Sequence, residues 1–129
     1  MNKFVIDTYA WIEYFNGTIM GNKVKDIVEN TDNNIYTNVI SVAELASSYK
    51  RNSLSFDNEK ESLILLSNIF LIDFDFAQEA GILHATLKKD RKHISMADIF
   101  ILLTAKKLNA HVVTGDQDFK GLKDVILLK

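Results

Sequence analysis

The chain has 129 residues, 47% of them hydrophobic and 25% charged, and a formal net charge of −2. One domain over residues 1–129 is the expectation for that length, and the composition excludes a disordered chain, which needs low hydrophobicity with high net charge. With no cysteine, disulfides, thiol nucleophiles, iron–sulfur clusters and cysteine-ligated zinc are excluded, and the slightly negative balance excludes a uniformly basic nucleic-acid binder while leaving room for a local basic patch.

Lys3–Ile6 is a short apolar run ending at Asp7 and reads as a buried strand. Asp7 and Glu13 interrupt any signal-peptide apolar region. Residues 8–15 carry apolar side chains at 11, 12 and 15, a helical spacing. Residues 23–29 form a short polar helix with Val24, Ile27 and Val28 inward, and residues 30–34 are a turn cluster. A second strand is expected at 35–37, helices at 42–50 and 58–69, a third strand at 71–74 and a helix at 76–89. Met96–Leu108 is the most apolar helix, with Asn109 as its C-terminal cap, followed by strands at 110–113 and 125–128. Strands separated by helices of roughly 10–15 residues imply βαβ units, hence an α/β fold with a mostly parallel sheet of about five strands. The longest apolar run near the C-terminus, residues 99–103, is far short of the ~18 residues that span a membrane, so a cytoplasmic protein without membrane association is expected.

Ligands of open α/β sheets bind outside the carboxyl ends of the strands. The first strand ends in Asp7-Thr8, the second leads to the helix carrying Glu44, and the fourth ends in Thr114-Gly115-Asp116-Gln117-Asp118. Asp98 lies in the first turn of the helix that precedes the fourth strand. Each acid has a structural explanation of its own. Ser41-Val42-Ala43-Glu44 matches a capping box, and Ser95-Met96-Ala97-Asp98 has the related spacing. Asp7 suits a helix cap, and Asp116 or Asp118 suits a turn. Taken together, those explanations require four acids to arise independently at the one edge where such folds bind ligands. Clustered carboxylates are tolerated when a cation neutralises them, and all-oxygen ligation suits Mg²⁺ or Mn²⁺. Such a cation activates water and stabilises both oxygens of an in-line phosphoryl displacement.

These residues resemble a family. Val5-Ile6-Asp7-Thr8 before an apolar helix looks like the opening motif of PIN-domain ribonucleases. Ser41-Val42-Ala43-Glu44-Leu45 resembles the second motif, and Ala97-Asp98-Ile99 with Ala105 the third. Thr114-Gly115-Asp116-Gln117-Asp118-Phe119 is similar to the fourth. The four stand in family order along nearly the whole chain. The resemblance implies a three-layer α/β/α sandwich and a divalent-metal-dependent endoribonuclease, with the VapC-type toxins of toxin–antitoxin pairs as the nearest subgroup. It implies Asp7, Glu44, Asp98 and Asp116 as the acidic quartet, with Asp7, Asp98 and Asp116 on the metal. Thr8, Thr114 and Asp118 take supporting places. It further implies single-stranded RNA as substrate, products with 5′-phosphate and 3′-hydroxyl ends, a small antitoxin partner and a homodimer.

Other chemistries lack their signatures. His84, His93 and His111 form neither HExxH nor an i, i+4 pair, and no phosphate-binding glycine motif or G-x-S-x-G elbow occurs. Lys88, Lys89, Arg91 and Lys92 are the one basic concentration: either a solvated helix end or an RNA backbone contact just upstream of Asp98, with Lys50 and Arg51 adding to it. Trp11, Tyr14 and Phe15 read as core and partner-facing surface, where an antitoxin would place an arginine against the acids. Phe70, Phe74, Phe76 and Phe100 read as core. Three alternatives stay open: an RNA-processing PIN nuclease without antitoxin, a non-catalytic PIN-fold scaffold, and a phosphoacceptor receiver domain. The receiver fits less well, because Thr8 rather than a second acid follows Asp7, and Lys129 directly follows the last strand without a loop.

Overall fold

A computed structural model describes residues 2–128 of the chain, so Lys129 lies outside the described residues. Strand β1 (Lys3–Ile6) holds three consecutive apolar residues, the mark of a strand covered on both faces. It lies at the centre of a five-stranded sheet of order β3-β2-β1-β4-β5, with β2 at Asn34–Asn38, β3 at Asn68–Phe70, β4 at His111–Thr114 and β5 at Val125–Leu127. Every pairing is parallel. The six helices are α1 (Thr8–Asn16), α2 (Ile19–Val28), α3 (Val39–Arg51), α4 (Asp57–Leu66), α5 (Phe74–Lys88) and α6 (Met96–Leu108). A short 3₁₀ turn, Gln117–Phe119, follows β4.

Successive side chains of a strand point to opposite faces. Phe4 and Ile6 accordingly pack with Trp11, Val24, Leu45 and Leu63, which come from α1 to α4. Val5 and Val112 pack on the other face with Ile101, Leu102, Ala105 and Phe119, and α5 joins that side through Phe76 and Ala80 against Ile99 and Leu103. The result is the expected α/β/α sandwich. Trp11 is fully buried, its Nε1 donating to Thr37 Oγ1 at 3.0 Å. No helix of the described residues is long and apolar enough to cross a membrane.

Differences from the sequence expectations have local causes. Helix α2 starts at Ile19, not 23, because Thr18 caps it through Gly21 N, and Gly21 itself lets α1 and α2 approach. A Cβ there would lie 2.0 Å from the Glu13 carbonyl oxygen. The third strand falls at Asn68–Phe70 rather than 71–74. Residues 68–70 pair with β2 and end α4 early, while Asp73 accepts from Phe76 N at 2.8 Å and so opens α5. Phe74, expected in the core, is thereby turned outward and is 80% exposed.

The capping box expected at Ser41 and Glu44 does not form. Asn38 is the N-cap of α3, its Oδ1 accepting from Ile40 N at 2.8 Å and its Nδ2 donating to Thr104 Oγ1 at 2.8 Å. Ser41 lies one turn inside the helix, and its buried hydroxyl has no partner among the described residues. A cap contributes about 1 kcal/mol, and a buried polar group left unpaired costs about 1–3 kcal/mol. Asn38→Ala is therefore expected to lower stability by about 2 kcal/mol, whereas Ser41→Ala leaves it unchanged or raises it. Urea denaturation midpoints at constant slope check both; a destabilised Ser41→Ala protein would restore the capping reading.

Candidate active site

The site starts where β1 ends. Asp7 N donates to Val113 O at 3.1 Å, which carries the β1–β4 ladder one residue past the strand. The Asp7 side chain then points into the fold and is only 4% exposed. Its Oδ1 accepts from Ala10 N at 2.8 Å, which makes Asp7 the N-cap of α1, and its Oδ2 accepts from the Thr114 hydroxyl at the end of β4. Thr114 Oγ1 in turn accepts from Asp116 N at 2.9 Å, and Asp116 Oδ1 accepts from Asp118 N at 2.9 Å. A relay of short-range hydrogen bonds thus orders the whole segment after β4 relative to β1.

Glu44 reaches the same edge from α3, with its Oε1 accepting from the Thr8 hydroxyl at 2.6 Å. Asp98 comes from the first turn of α6, where the expected capping box does form: Ser95 N donates to Asp98 Oδ2 at 2.9 Å and Asp98 N donates to Ser95 Oγ at 3.0 Å. Asp7, Thr8, Glu44, Asp98 and Asp116 line one cleft of about 230 Å³ together with Tyr9, Ile12 and Ile101. All four acids of the expected quartet therefore meet.

Their arrangement is finer than the sequence implied. Asp98, Asp116 and Asp118 each offer a carboxylate oxygen, and these lie within 4.8 Å of one another. Asp7 is buried in the same cleft, with both oxygens engaged by Ala10 and Thr114. Among the described residues no cationic side chain pairs with the trio; the ion pair of Lys107 with Glu79 lies elsewhere. An all-oxygen donor set without a protein counterion suits a hard divalent cation such as Mg²⁺ or Mn²⁺.

The electrostatics reflect burial first and that crowding second. Burial pushes the Asp7 carboxyl up to about 7; the bonds from Thr114 and Ala10 oppose the rise, and the charges of Asp116 and Asp98 add to it. Burial likewise raises Asp98 above the ordinary carboxylate range, against the bonds from Ser95 and with the charges of Asp116 and Asp118.

Tyr9 was not singled out by sequence. Its ring covers Gly115, where a Cβ would lie 2.3 Å from a ring carbon, so the glycine lets this aromatic close over the acid-bearing segment. The available signal was its place in the first turn of α1, right after Asp7-Thr8. The basic residues lie outside the cleft lining. Lys89 and Lys92 are exposed, Lys88 donates to Ile94 O at 3.2 Å, and half-buried Arg91 bonds to the segment after Asp116. Arg51 donates to Ser47 Oγ at 3.3 Å on its own helix, and Lys50 beside it is exposed.

The PIN domain family model matches residues 4–125. The chain belongs to the PIN domain family. PIN domains are generally nucleases. No curated protein matches the chain. Among solved structures, a toxin–antitoxin complex from Klebsiella pneumoniae is similar at 21% identity and a TM-score of 0.76, with 97% of each chain covered. VapBC2 from Rickettsia felis bound to a promoter DNA fragment is similar at 21% identity and a TM-score of 0.71, covering 97% of this chain and 96% of the other. FitAcB from Neisseria gonorrhoeae reaches 23% identity and a TM-score of 0.71, covering 98% and 96%. This PIN domain shares its fold with those chains from end to end.

The raised Asp7 carboxyl has a stability consequence with a definite sign. Its ordinary value is 3.8 and its folded value about 7, so between those pH values the folded protein holds a proton that the unfolded chain releases. The associated stability is fully present below the lower value and is lost as pH rises through about 7. In EDTA, the melting temperature is expected to fall between pH 5 and pH 8, with Asp7 contributing on the order of 3 kcal/mol over that window. Asp7→Asn should flatten that slope and melt higher at pH 8, and an unchanged slope in the variant would show that another group carries it.

Proposed function

We propose that this PIN domain is a divalent-metal-dependent endoribonuclease that cleaves single-stranded RNA, and that it is the toxin half of a toxin–antitoxin pair. The observation that carries the reading is the carboxylate trio of Asp98, Asp116 and Asp118, of which Asp98 and Asp116 share one cleft with Asp7 and Glu44, with no cationic side chain among the described residues paired to it. Asp98, Asp116 and Asp118 would hold Mg²⁺ or Mn²⁺, with Asp7, also expected on the metal, lining the same cleft and fixing Thr114. When bound, such an ion supplies water activation and charge stabilisation for phosphodiester cleavage.

The chain's own residues do the rest. Thr8 donates to Glu44 Oε1 and so fixes the carboxylate, leaving Oε2 to accept a proton from the attacking water. Tyr9, Ile12 and Ile101 line the cleft beside the acids. Lys89 and Lys92, exposed on either side of Arg91 in the sequence, would draw the RNA backbone toward the acids.

The antitoxin part rests on a surface and on the similar folds. A groove of about 390 Å³ runs past Tyr14, Phe15, Gly17, Gly21, Lys25 and Glu29. Tyr14 and Phe15 are available to a partner there, while Trp11 is not, being wholly buried. The full-length likeness to chains of toxin–antitoxin complexes supports this assignment. A homodimer in the cytoplasm completes the reading; outward-facing Leu71, Phe74 and Ile82, exposed by 73%, 80% and 63%, offer apolar surface for a second copy.

Glu44→Gln tests the chemistry. The variant should keep its fold within about 1 kcal/mol, because Gln still accepts from Thr8, yet cleave single-stranded RNA at least ~10²-fold more slowly. Millimolar Mn²⁺ should raise the melting temperature of both proteins by mass action. Wild-type cleavage by Glu44→Gln would return Glu44 to a helix-surface role. A melting curve indifferent to Mn²⁺, with no growth arrest on expression alone, would move the reading to a non-catalytic scaffold.

A further inference from the structure

Arg91 lies in the connection between α5 and α6, the stretch that reads by sequence as a basic patch. Its backbone is fixed there: Arg91 N donates to Leu87 O at 2.9 Å and its own carbonyl accepts from Ile94 N at 3.2 Å, with Ile94 fully buried. From this anchorage the guanidinium reaches across to the segment after β4. Nη1 donates to Asp118 O at 3.0 Å and to Lys120 O at 2.8 Å. These carbonyls stand at the end of the 3₁₀ turn, where a helix leaves its last acceptors without partners. The chain then reverses at Gly121, whose φ of +82° suits glycine and whose missing Cβ would sit 3.6 Å from Nη2.

Asp118 is thus held on both sides of its α-carbon. Its amide is tied to the Asp116 carboxylate and its carbonyl to Arg91, while its own carboxylate stands with Asp98 and Asp116. The guanidinium bonds to backbone oxygens and makes no ion pair with the trio. It therefore fixes the acids without neutralising them.

We propose that Arg91 is a positioning residue for the carboxylate trio, a brace that locks the Asp116–Asp118 segment through two backbone carbonyls. This rests on the reading that the trio holds a divalent cation. The proposal has a sign that separates it from simple electrostatics. If Arg91 acted only through its charge, removing that charge beside an acidic site would tighten cation binding. If Arg91 fixes the ligands, removing it weakens binding.

The experiment titrates Mn²⁺ alone, without RNA, into wild-type, Arg91→Gln and Arg91→Lys proteins by calorimetry. It also follows amide hydrogen exchange of the three in EDTA. Arg91→Gln is expected to weaken Mn²⁺ binding by ~10–100-fold, the usual effect of losing a group that orients metal ligands. Arg91→Lys keeps the charge on a shorter, non-planar donor, and its affinity should fall between the two. The amides of Asp118, Lys120 and Leu122 should exchange faster in Arg91→Gln, with those of Val112 and Val113 unchanged. Wild-type or tighter Mn²⁺ affinity in Arg91→Gln overturns the proposal. Should the wild-type protein take up no Mn²⁺, the cation reading fails by itself. The exchange data then decide the brace, faster exchange in the segment upholding it and wild-type exchange overturning it. If Arg91→Gln does not fold, Arg91→Lys carries the test, and wild-type affinity together with wild-type exchange overturns the proposal.

Discussion

A carboxylate at the end of the central strand, almost wholly removed from water, is the constraint around which this molecule is arranged. Burying a carboxyl group is tolerated only when hydrogen bonds replace its lost water. Asp7 meets that requirement with the amide of Ala10 and the hydroxyl of Thr114. The first bond fixes where α1 begins; the second fixes β4 relative to β1 at the edge of the cleft. Because Thr114 also accepts from Asp116 N, the demand made by one buried acid propagates to the segment carrying two others. Weakening either partner of Asp7 would disturb the helix start and the far side of the cleft together.

Capping roles and places in the candidate site coincide here rather than compete. Asp98 closes a capping box and also stands in the trio; Asp116 caps the 3₁₀ turn and also lines the cleft. The amides that these caps recruit partly solvate carboxylates that would otherwise repel one another at close range. A helix start is thus a place where a fold can hold an acid at modest cost and still present it. Glu44 differs: it sits a turn and a half inside α3 and depends on a hydroxyl from another element, Thr8, for its orientation.

Much of this was legible in the sequence because it is written in local terms. Lys3–Ile6 and Met96–Leu108 were read to the residue, since an unbroken apolar run ending in Asp, and a Ser-x-x-Asp start closed by Asn109, mark their own limits. The acids followed from the rule that ligands gather at strand ends. Where local signals overlapped, tertiary pairing decided. The Ser41–Glu44 spacing imitated a cap, but Asn38 had the additional bond to Thr104 and took the position. The apolar residues after Ser67 point to a strand at 71–74, but pairing with β2 sets it at Asn68–Phe70. Asp118's place beside Asp98, and Arg91's bonds to the carbonyls of Asp118 and Lys120, are set by how a loop closes in space, and no spacing along the chain encodes that.

The bond from Thr114 to Asp7 joins residues 107 positions apart, and the strands behind them pair in parallel. Closing so long a segment of chain carries an entropic cost that local contacts cannot repay in advance, and such topologies fold slowly. On a translating ribosome the consequence is temporal. While α1 to α5 emerge, β1 can pair with β2 alone, and the acids of its edge have neither Thr114 nor their counterparts on the far wall. The cleft comes into being only with the last strands of the sheet, so a nascent or prematurely ended chain carries the first acid of the cleft without the residues that complete it.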